Sequence, residues 1–243
     1  MELNIKKYAT NVDDNITRKN YWIGKQNRDC DWVVSFCFEN AHRQPLLIYG
    51  KEGVGKSLML HFVGNELKEH YAGRVLFVSA DVFSDYYLLA EQNDMHVADF
   101  LKFYSDPDCL LFDDVDKISD SDAQEALLKI LKRREDKNRP TIMTSSKTMG
   151  NLKRAFPPEL YSHISSSEVV FLPEPDENDR KGFVRWFLKK KNLILDEATQ
   201  QVLFHTPLSF GELMGVINSF HYTQKTRIVN PDEVLRLIAF YTE

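Results

Sequence analysis

The sequence predicts an α/β fold in which a parallel five-stranded sheet is sandwiched by helices. Five short apolar runs of four to six residues carry this prediction: Leu46–Tyr49, Val75–Ala80, Cys109–Phe112, Thr141–Thr144 and Val169–Leu172. Each run is too continuous for a strand with one face in water, and apolar residues at helical spacing lie between the runs. This alternation is typical of a parallel sheet covered on both faces. We therefore expect all five strands to be buried.

A small all-α domain is predicted after the last strand. No strand pattern follows Pro173, whereas signals that start helices recur. They comprise capping aspartates, capping-box spacing and a proline at a first helical position, found at Asp176, Asp196, Ser209–Glu212 and Asn230-Pro231. The helix that Asp176 caps is expected to run to about Lys191. We predict two domains, residues 1–174 and 175–243.

Composition narrows the class of protein. The chain has 243 residues, of which 43% are hydrophobic, and this suffices for one large core with or without a small appendage. Its net charge of -5 gives no general attraction to nucleic acid or to a membrane surface. The three cysteines, Cys30, Cys37 and Cys109, lack metal-site spacing, and no secretory or membrane-spanning segment is visible. We expect a reduced, cytoplasmic protein without a membrane partner.

Residues Gly50–Ser57 read GKEGVGKS and fit the phosphate-loop pattern G-x-x-x-x-G-K-[ST]. Glycine is needed where the backbone turns tightly and its amides approach phosphate oxygens. Lys56 would reach the β and γ phosphates, and the Ser57 hydroxyl would reach Mg²⁺. A glycine turn that binds nothing is the alternative. The motif follows a predicted strand and opens a predicted helix, which favours ATP or ADP binding with Mg²⁺.

A second acidic site supports this interpretation. Residues Cys109–Asp114 read CLLFDD, so a predicted strand ends in two carboxylates. In phosphate-loop proteins one such acid, here Asp113, holds Mg²⁺, and its neighbour Asp114 can polarise the attacking water. A strand that happens to end in an acidic turn is the alternative, because Asp116, Asp120 and Asp122 follow.

The order of these motifs resembles that of an AAA+ ATPase, and several segments resemble the bacterial replication initiator DnaA and its regulators. These segments are Tyr21–Asn27 (YWIGKQN), Leu60–Glu66 (LHFVGNE), Val78–Phe83 (VSADVF), Asp99–Tyr104 (DFLKFY), Leu172–Asp176 (LPEPD) and Glu212–Gly215 (ELMG). The resemblance covers about residues 20 to 241. It implies an AAA+ core followed by a helical lid.

The resemblance also implies roles for individual residues. Tyr21–Asn27 matches the segment that contacts adenine, and Ser146 takes the place of the polar residue on the strand after the acidic pair. Asp114 and Ser146 are thus the candidate catalytic residues, and Ser57 and Asp113 the candidate Mg²⁺ ligands. The candidate nucleotide contacts are Ile23, Gly24, Asn27, Gly50, Gly53, Val54, Gly55, Lys56, Ser57 and Leu58.

The chain departs from the family at its arginines. His163 stands where an arginine would reach the nucleotide of a neighbouring subunit, and Gly211 stands where a lid arginine would touch the γ-phosphate. Neutral histidine lacks the charged fork that stabilises a transferring phosphoryl group. Arg154, the arginine near His163, reads as an exposed loop charge. We therefore expect nucleotide binding with at most a slow ATPase.

The resemblance implies a function in the initiation of DNA replication. The sequence carries no helix-turn-helix pattern after the lid, as in Hda-type regulators, which act on the initiator with the sliding clamp. We expect a nucleotide-gated regulator or adaptor whose partner is another AAA+ protein such as a DnaA-type initiator. A DNA-binding initiator or helicase loader is the alternative, and a phosphate-loop kinase is a weaker one. The sequence argues against duplex DNA and leaves weak single-stranded DNA binding open.

Some features have two interpretations. The basic runs Lys132–Arg134 and Lys189–Lys191 are expected to be solvated helix faces rather than nucleic-acid contacts. Tyr21 and Trp22 line an adenine pocket or belong to the core. At Met1–Leu3 no glutamine is followed at the spacing of a clamp-binding peptide, which argues against sliding-clamp binding.

Overall fold

The computed structural model describes residues 12–38, 44–70, 73–92, 97–223 and 231–242. The first part of the chain forms α1 (Cys30–Phe36), β1 (Leu46–Tyr49), α2 (Lys56–His70), β2 (Val75–Ser79), α3 (Ala80–Gln92), α4 (Val97–Ser105), β3 (Cys109–Asp113) and α5 (Ser121–Asp136). The remainder forms β4 (Thr141–Ser145), α6 (Met149–Ala155), α7 (Pro158–Ser165), β5 (Glu168–Phe171), α8 (Glu177–Lys191), α9 (Glu197–His205), α10 (Phe210–Thr223) and α11 (Pro231–Thr242). The predicted α/β class is confirmed.

The five strands form one sheet in the order β2-β3-β4-β1-β5. Every neighbouring pair is parallel, with Leu47 beside Met143 and Leu111 beside Ile142. The carboxyl ends of β1, β3 and β4 therefore lie side by side. This is the edge at which open parallel sheets bind ligands.

The chain divides into two compact units, of which the second comprises Trp22–Arg28, Lys51–Gly55 and Leu172–Glu243. The first contains the sheet and a core rich in aromatic rings, where Phe83 contacts Phe100 and Phe112 at 5.2 and 5.1 Å between centroids. The second has its own core on α8–α11. The predicted domain boundary after residue 174 remains a prediction.

The helix-start signals of the second unit are confirmed where the structure describes them. Asp176 accepts a hydrogen bond from Asp179 N, and the Asp179 carboxylate accepts one from Asp176 N, which closes a capping box before α8. Asp196 caps α9 through Thr199 N at 2.7 Å. The Ser209 and Glu212 side chains bond each other's backbone amides before α10. Asn230 and the Met1–Leu3 segment lie outside the described residues.

The prediction that all five strands are buried is wrong for β5. Among the residues that the structure describes, this strand pairs only with β1 and forms the edge of the sheet, and Val169 and Phe171 are 53% and 58% exposed. Its boundaries are also shifted one residue toward the N-terminus relative to the apolar run. An apolar run shows that a strand has β propensity, but it does not reveal which strand ends the sheet.

The basic run Lys132–Arg134 is not a fully solvated face, because Arg134 is only 1% exposed. Its guanidinium donates to the carbonyls of Pro107 and Pro140, both at 2.7 Å, and to Thr141 Oγ1 at 2.8 Å. Burial lowers the pKa of Arg134 to about 10, so the group stays charged at neutral pH. Arg133, the neighbouring residue, is exposed as expected.

Candidate functional site

The phosphate-loop motif connects β1 to α2, which begins at Lys56. Gly53 and Gly55 have φ angles of 77° and 101°, a region that residues with a Cβ rarely adopt. A Cβ at Gly53 would also lie 2.6 Å from Ser209 Oγ. The loop conformation therefore requires glycine at both positions, which the motif supplies.

Lys56 is buried, with 5% of its surface exposed, and its Nζ donates to the Gly50 carbonyl at 2.9 Å. This bond folds the side chain back over the start of the loop. A buried ammonium is stabilised more strongly by an anion than by the dipole of a carbonyl group. Phosphate binding by Lys56 remains a prediction, which the buried position of its ammonium favours. Ser57 and Leu58, the next residues of α2, are half-buried.

Asp113 ends β3 and is 7% exposed. Thr144 Oγ1 donates to its Oδ1 at 2.6 Å, and the Ser57 hydroxyl donates to the same carboxylate. Burial raises the pKa of Asp113 above its usual value, and the bonds from Thr144 and Ser57 oppose this shift. A hydroxyl and a carboxylate in contact form an oxygen pair that fits Mg²⁺.

The Asp113→Asn variant should raise the melting temperature of the ligand-free protein by about 2–4 °C, the shift that about 1 kcal/mol gives a domain of this size. The asparagine amide keeps an oxygen that accepts from Thr144. It also removes a carboxylate whose ionised form is disfavoured by burial. Thermal unfolding at pH 7 measures this, and Asp85→Asn on the exposed face of α3 is the control. A fall in melting temperature for Asp113→Asn alone would contradict this account.

Both predicted catalytic residues follow neighbouring strands, and both are engaged by side chains of the turn Val115–Lys117. Asp114 has a left-handed backbone with φ 55°, donates its N–H to Thr144 Oγ1 at 2.7 Å, and pairs with Lys117 at 2.7 Å. Ser146 donates its hydroxyl to Asp116 Oδ2 at 3.0 Å. The Asp114 carboxylate and the Ser146 hydroxyl each have a partner in this turn, and their catalytic roles remain predictions.

Of the predicted adenine segment Tyr21–Asn27, Tyr21 belongs to the first unit and Trp22–Asn27 to the second. Asn27 accepts from Gly24 N through Oδ1 and donates to the Trp22 carbonyl through Nδ2, both at 2.8 Å. Through these two bonds the buried Asn27 positions the backbone from Trp22 to Gly24, while Ile23 is 39% exposed. Trp22 packs on Phe183 and Phe210 of the helical core.

Within the same unit, the phosphate loop bonds to this segment and to the start of α10. Gln26 Nε2 donates to the Val54 carbonyl at 3.1 Å, and Gly211 N donates to the Gly53 carbonyl at 3.2 Å. Gly211, the position of the absent lid arginine, thus touches the loop through its backbone. A Cβ there would meet Gly53 at ordinary contact distances of 3.5 and 3.6 Å.

His163 on α7 lies 3.3 Å from Glu135 of α5, measured from Nδ1 to Oε2, and its side chain is 22% exposed. The imidazole is therefore directed at a carboxylate of its own chain. Arg154 is exposed as predicted, but it lies in the last turn of α6 and not on a loop.

Sequence reasoning missed Thr144, Asp116 and Lys117 as parts of this site. Thr144 was found only as the end of a predicted strand, although it bonds both residues of the acidic pair. The register that places Phe112 beside Met143 brings Asp113 next to Thr144, and strand order is needed to see this. Asp116 had appeared only as one acid in an acidic turn.

The sequence profile described as the bacterial DnaA ATPase domain matches residues 12–167, which is more than half of the chain. The chain belongs to this family. It is 28% identical over 220 residues to the chromosomal replication initiator protein DnaA of Flavobacterium psychrophilum, covering 88% of this chain and 45% of that protein. The DnaA of Ureaplasma parvum is 25% identical, with 96% and 55% covered. The chain spans about half the length of these curated relatives.

Solved structures agree with the family assignment. Domain III of DnaA from Thermotoga maritima superposes with a TM-score of 0.85 at 22% identity, covering 96% of this chain and 99% of that one, which shows the AAA+ fold. AMPPCP-bound DnaA from Aquifex aeolicus has a TM-score of 0.78 at 25% identity, with 88% and 67% covered. A DnaA bound to AMPPCP and single-stranded DNA has a TM-score of 0.76 at 26% identity, with 87% and 66% covered. Within the described residues, no helix is long and apolar enough to span a bilayer.

Proposed function

We propose that this chain binds ATP or ADP with Mg²⁺ and acts as a nucleotide-gated regulator or adaptor in replication initiation. Two observations support phosphate binding: the buried Lys56 ammonium, which bonds the Gly50 carbonyl, and a loop conformation that requires glycine. The proposed nucleotide contacts are Ile23, Gly24, Asn27, Gly50, Gly53, Val54, Gly55, Lys56, Ser57 and Leu58. Similar DnaA structures carry AMPPCP, an ATP analogue.

Ser57 and Asp113 are the proposed Mg²⁺ ligands, because their oxygens are already in contact. The ion would neutralise charge on the β and γ phosphates when bound. Asp114 would orient the attacking water, and Ser146 would donate to a γ-phosphate oxygen. These four roles place the chemistry at the carboxyl ends of β3 and β4 and at the start of α2.

The interaction of His163 is the single observation that carries the regulatory assignment. His163 carries an imidazole in place of a guanidinium, and this imidazole faces Glu135 of the same chain. It therefore offers no charged fork to a neighbouring nucleotide. With Gly211 at the lid position, neither expected arginine is present. A protein of this kind would hold its nucleotide and rely on an arginine from another AAA+ subunit, for which a DnaA-type initiator is the proposed partner.

A single-strand-binding initiator or helicase loader is the second candidate, because a similar DnaA structure contains single-stranded DNA. The charges on α3 and α4 argue against it. Helix α3 carries Asp81, Asp85 and Glu91 and no lysine or arginine, and α4 carries Asp99 with Lys102. Acidic side chains repel a phosphate backbone, so any single-strand binding here would be weak at physiological salt.

The test of this function is the ATPase activity per molecule as protein concentration increases. We expect slow turnover that does not rise with concentration, because copies of this chain supply no arginine to one another. Addition of a DnaA-type core, inactivated by replacement of its own phosphate-loop lysine, should raise the ATPase rate of this chain at least about tenfold. An arginine supplied in trans accelerates related phosphoryl transfer by about 10³–10⁵. Asp114→Asn should remove the stimulated part.

A steep rise with concentration for the protein alone would contradict this function, because it would require self-assembly with a working arginine. Sedimentation with single-stranded DNA at about 150 mM salt, where exposed charges are screened beyond about 8 Å, discriminates the second candidate. Tight binding under those conditions would favour the initiator or loader.

A further inference from the structure

The turn Val115–Lys117 follows the acidic pair and holds both residues that would act on the γ-phosphate. It is one turn of 3₁₀-helix, entered through the left-handed backbone of Asp114 at φ 55° and ψ 47°. Such a conformation is uncommon for a residue other than glycine and persists where surrounding bonds fix it. The hydrogen bond from Asp114 N to the buried Thr144 Oγ1, at 2.7 Å, is one such bond.

Lys117 holds the first of the two residues. Its Nζ lies 2.7 Å from Asp114 Oδ2, and the two side chains are 45% and 24% exposed. A carboxylate oxygen that already accepts a charge-assisted hydrogen bond is a poorer acceptor for the proton of an attacking water. The pair also restrains the direction of the carboxylate.

Asp116 holds the second residue. It is 4% exposed, and its two oxygens accept from Ser146 N at 3.1 Å and from Ser146 Oγ at 3.0 Å. Lys147 Nζ donates to the Asp116 carbonyl at 2.9 Å, which fixes the turn further. A serine hydroxyl has one proton to donate, so Ser146 cannot donate to Asp116 and to a phosphate oxygen together.

We propose that this turn is an internal brake on ATP hydrolysis, in which Asp116 and Lys117 are positioning residues that hold Ser146 and Asp114 away from their catalytic roles. The inference rests on the nucleotide binding proposed above. In the hydrolysis step, the water oxygen bonds to the γ-phosphorus, and the bond from that phosphorus to the β–γ bridging oxygen breaks. The water proton leaves through Asp114 or to solvent, which gives ADP and inorganic phosphate. The brake lengthens the time that bound ATP stays intact.

Single-turnover hydrolysis with the full chain in excess over Mg²⁺-ATP tests the Lys117 contact. Lys117→Met should raise the rate about two- to fivefold, as expected from the strength of an exposed ion pair. ATP affinity should change by less than about twofold, because an exposed ion pair is weak and Lys117 is not among the proposed nucleotide contacts. Lys117→Arg should keep the slow rate, since arginine preserves the pair. Lys129→Met is the control, because Lys129 is about as exposed as Lys117 and pairs with Glu125 at 2.6 Å on α5.

Equilibrium binding tests the Asp116 contact without turnover. In Asp116→Asn the side-chain amide can donate to Ser146 Oγ, which frees the hydroxyl proton for a γ-phosphate oxygen. The preference for AMPPCP over ADP, both with Mg²⁺, should therefore rise about three- to tenfold, the range of one hydrogen bond. Lys117→Met is a surface change that tests the same turn if Asp116→Asn folds poorly.

Each outcome decides the proposal. A faster Lys117→Met with an unchanged Lys117→Arg and Lys129→Met supports the brake. Intact ATP binding with no acceleration in Lys117→Met overturns the brake and leaves the proposed function standing. Equal acceleration in Lys129→Met also overturns it, because the effect would then be general. Failure of the unmodified protein to bind either nucleotide overturns both.

Discussion

Replacing Lys56 with alanine should weaken Mg²⁺-ATP and Mg²⁺-ADP binding by about 10- to 100-fold. A hydrogen bond to a charged group contributes about 1.5–3 kcal/mol, and the Lys56 ammonium is the buried cation of the phosphate loop. Its bond to the Gly50 carbonyl at 2.9 Å fixes the side chain at the first residue of the motif before any nucleotide is present. Little affinity is then lost to ordering the side chain on binding. Isothermal calorimetry with each nucleotide measures the change directly.

Lys51→Ala is the matched control for this substitution. Lys51 lies in the same loop but is exposed, with its Nζ 2.7 Å from Glu174 Oε2. Its loss should change nucleotide affinity by less than about threefold, because exposed ion pairs contribute little. Circular dichroism should show that both variants remain folded. Equal affinities for Lys56→Ala and the unmodified protein would remove the basis of the proposed nucleotide site.

The sequence was sufficient to predict the phosphate loop because that motif is local. Eight consecutive residues define the turn, the two left-handed glycines and the following helix, so no long-range information is needed. The strands could also be predicted from the sequence, because buried parallel strands are continuous apolar runs. Their ends agree with the apolar runs to within one residue, as for β2, where Ala80 begins α3 instead.

The parts of the site that could not be predicted depend on strand order and on one unusual backbone angle. Thr144 contacts Asp113 only because β3 and β4 are neighbours, which periodicity does not reveal. Lys117 pairs with Asp114 across a 3₁₀ turn that begins after the left-handed backbone of Asp114, and nothing in the residues DDVDK requires that backbone angle. The same limitation explains β5, whose edge position leaves Phe171 exposed.

Arg134 shows this limitation most clearly, because a basic run at the end of a helix usually faces water. Here the middle of the lysine- and arginine-rich segment Lys129–Lys137 contains a buried guanidinium. It binds carbonyls in the chain that precedes β3 and in the chain that precedes β4, at Pro107 and Pro140. These groups lie at the amino ends of the strands, opposite the edge that carries the candidate site.

Replacing Arg134 with alanine should lower the free energy of unfolding by about 4 kcal/mol or more. The substitution removes the guanidinium donors of the Pro107 carbonyl and of Thr141 Oγ1, and it leaves the Pro140 carbonyl with its 3.1 Å bond from Leu110 N. A buried polar group left unsatisfied costs about 1–3 kcal/mol, and the cavity left by the long side chain adds to this. The melting temperature should fall by roughly 10 °C for a domain of this size.

Arg133→Ala is a closely matched control, since it removes the same side chain one position earlier on the same helix. Because Arg133 is exposed, its loss should change stability by less than about 0.5 kcal/mol. Urea unfolding of both variants measures the difference, and calorimetry on the folded fraction should give unchanged nucleotide affinity, because the guanidinium lies at the opposite end of the strands. Equal stability of the two variants would mean that Arg134 is solvated, as the sequence alone suggests. A loss of stability in Arg134→Ala but not in Arg133→Ala would instead show that the Arg134 side chain joins the segments that lead into β3 and β4.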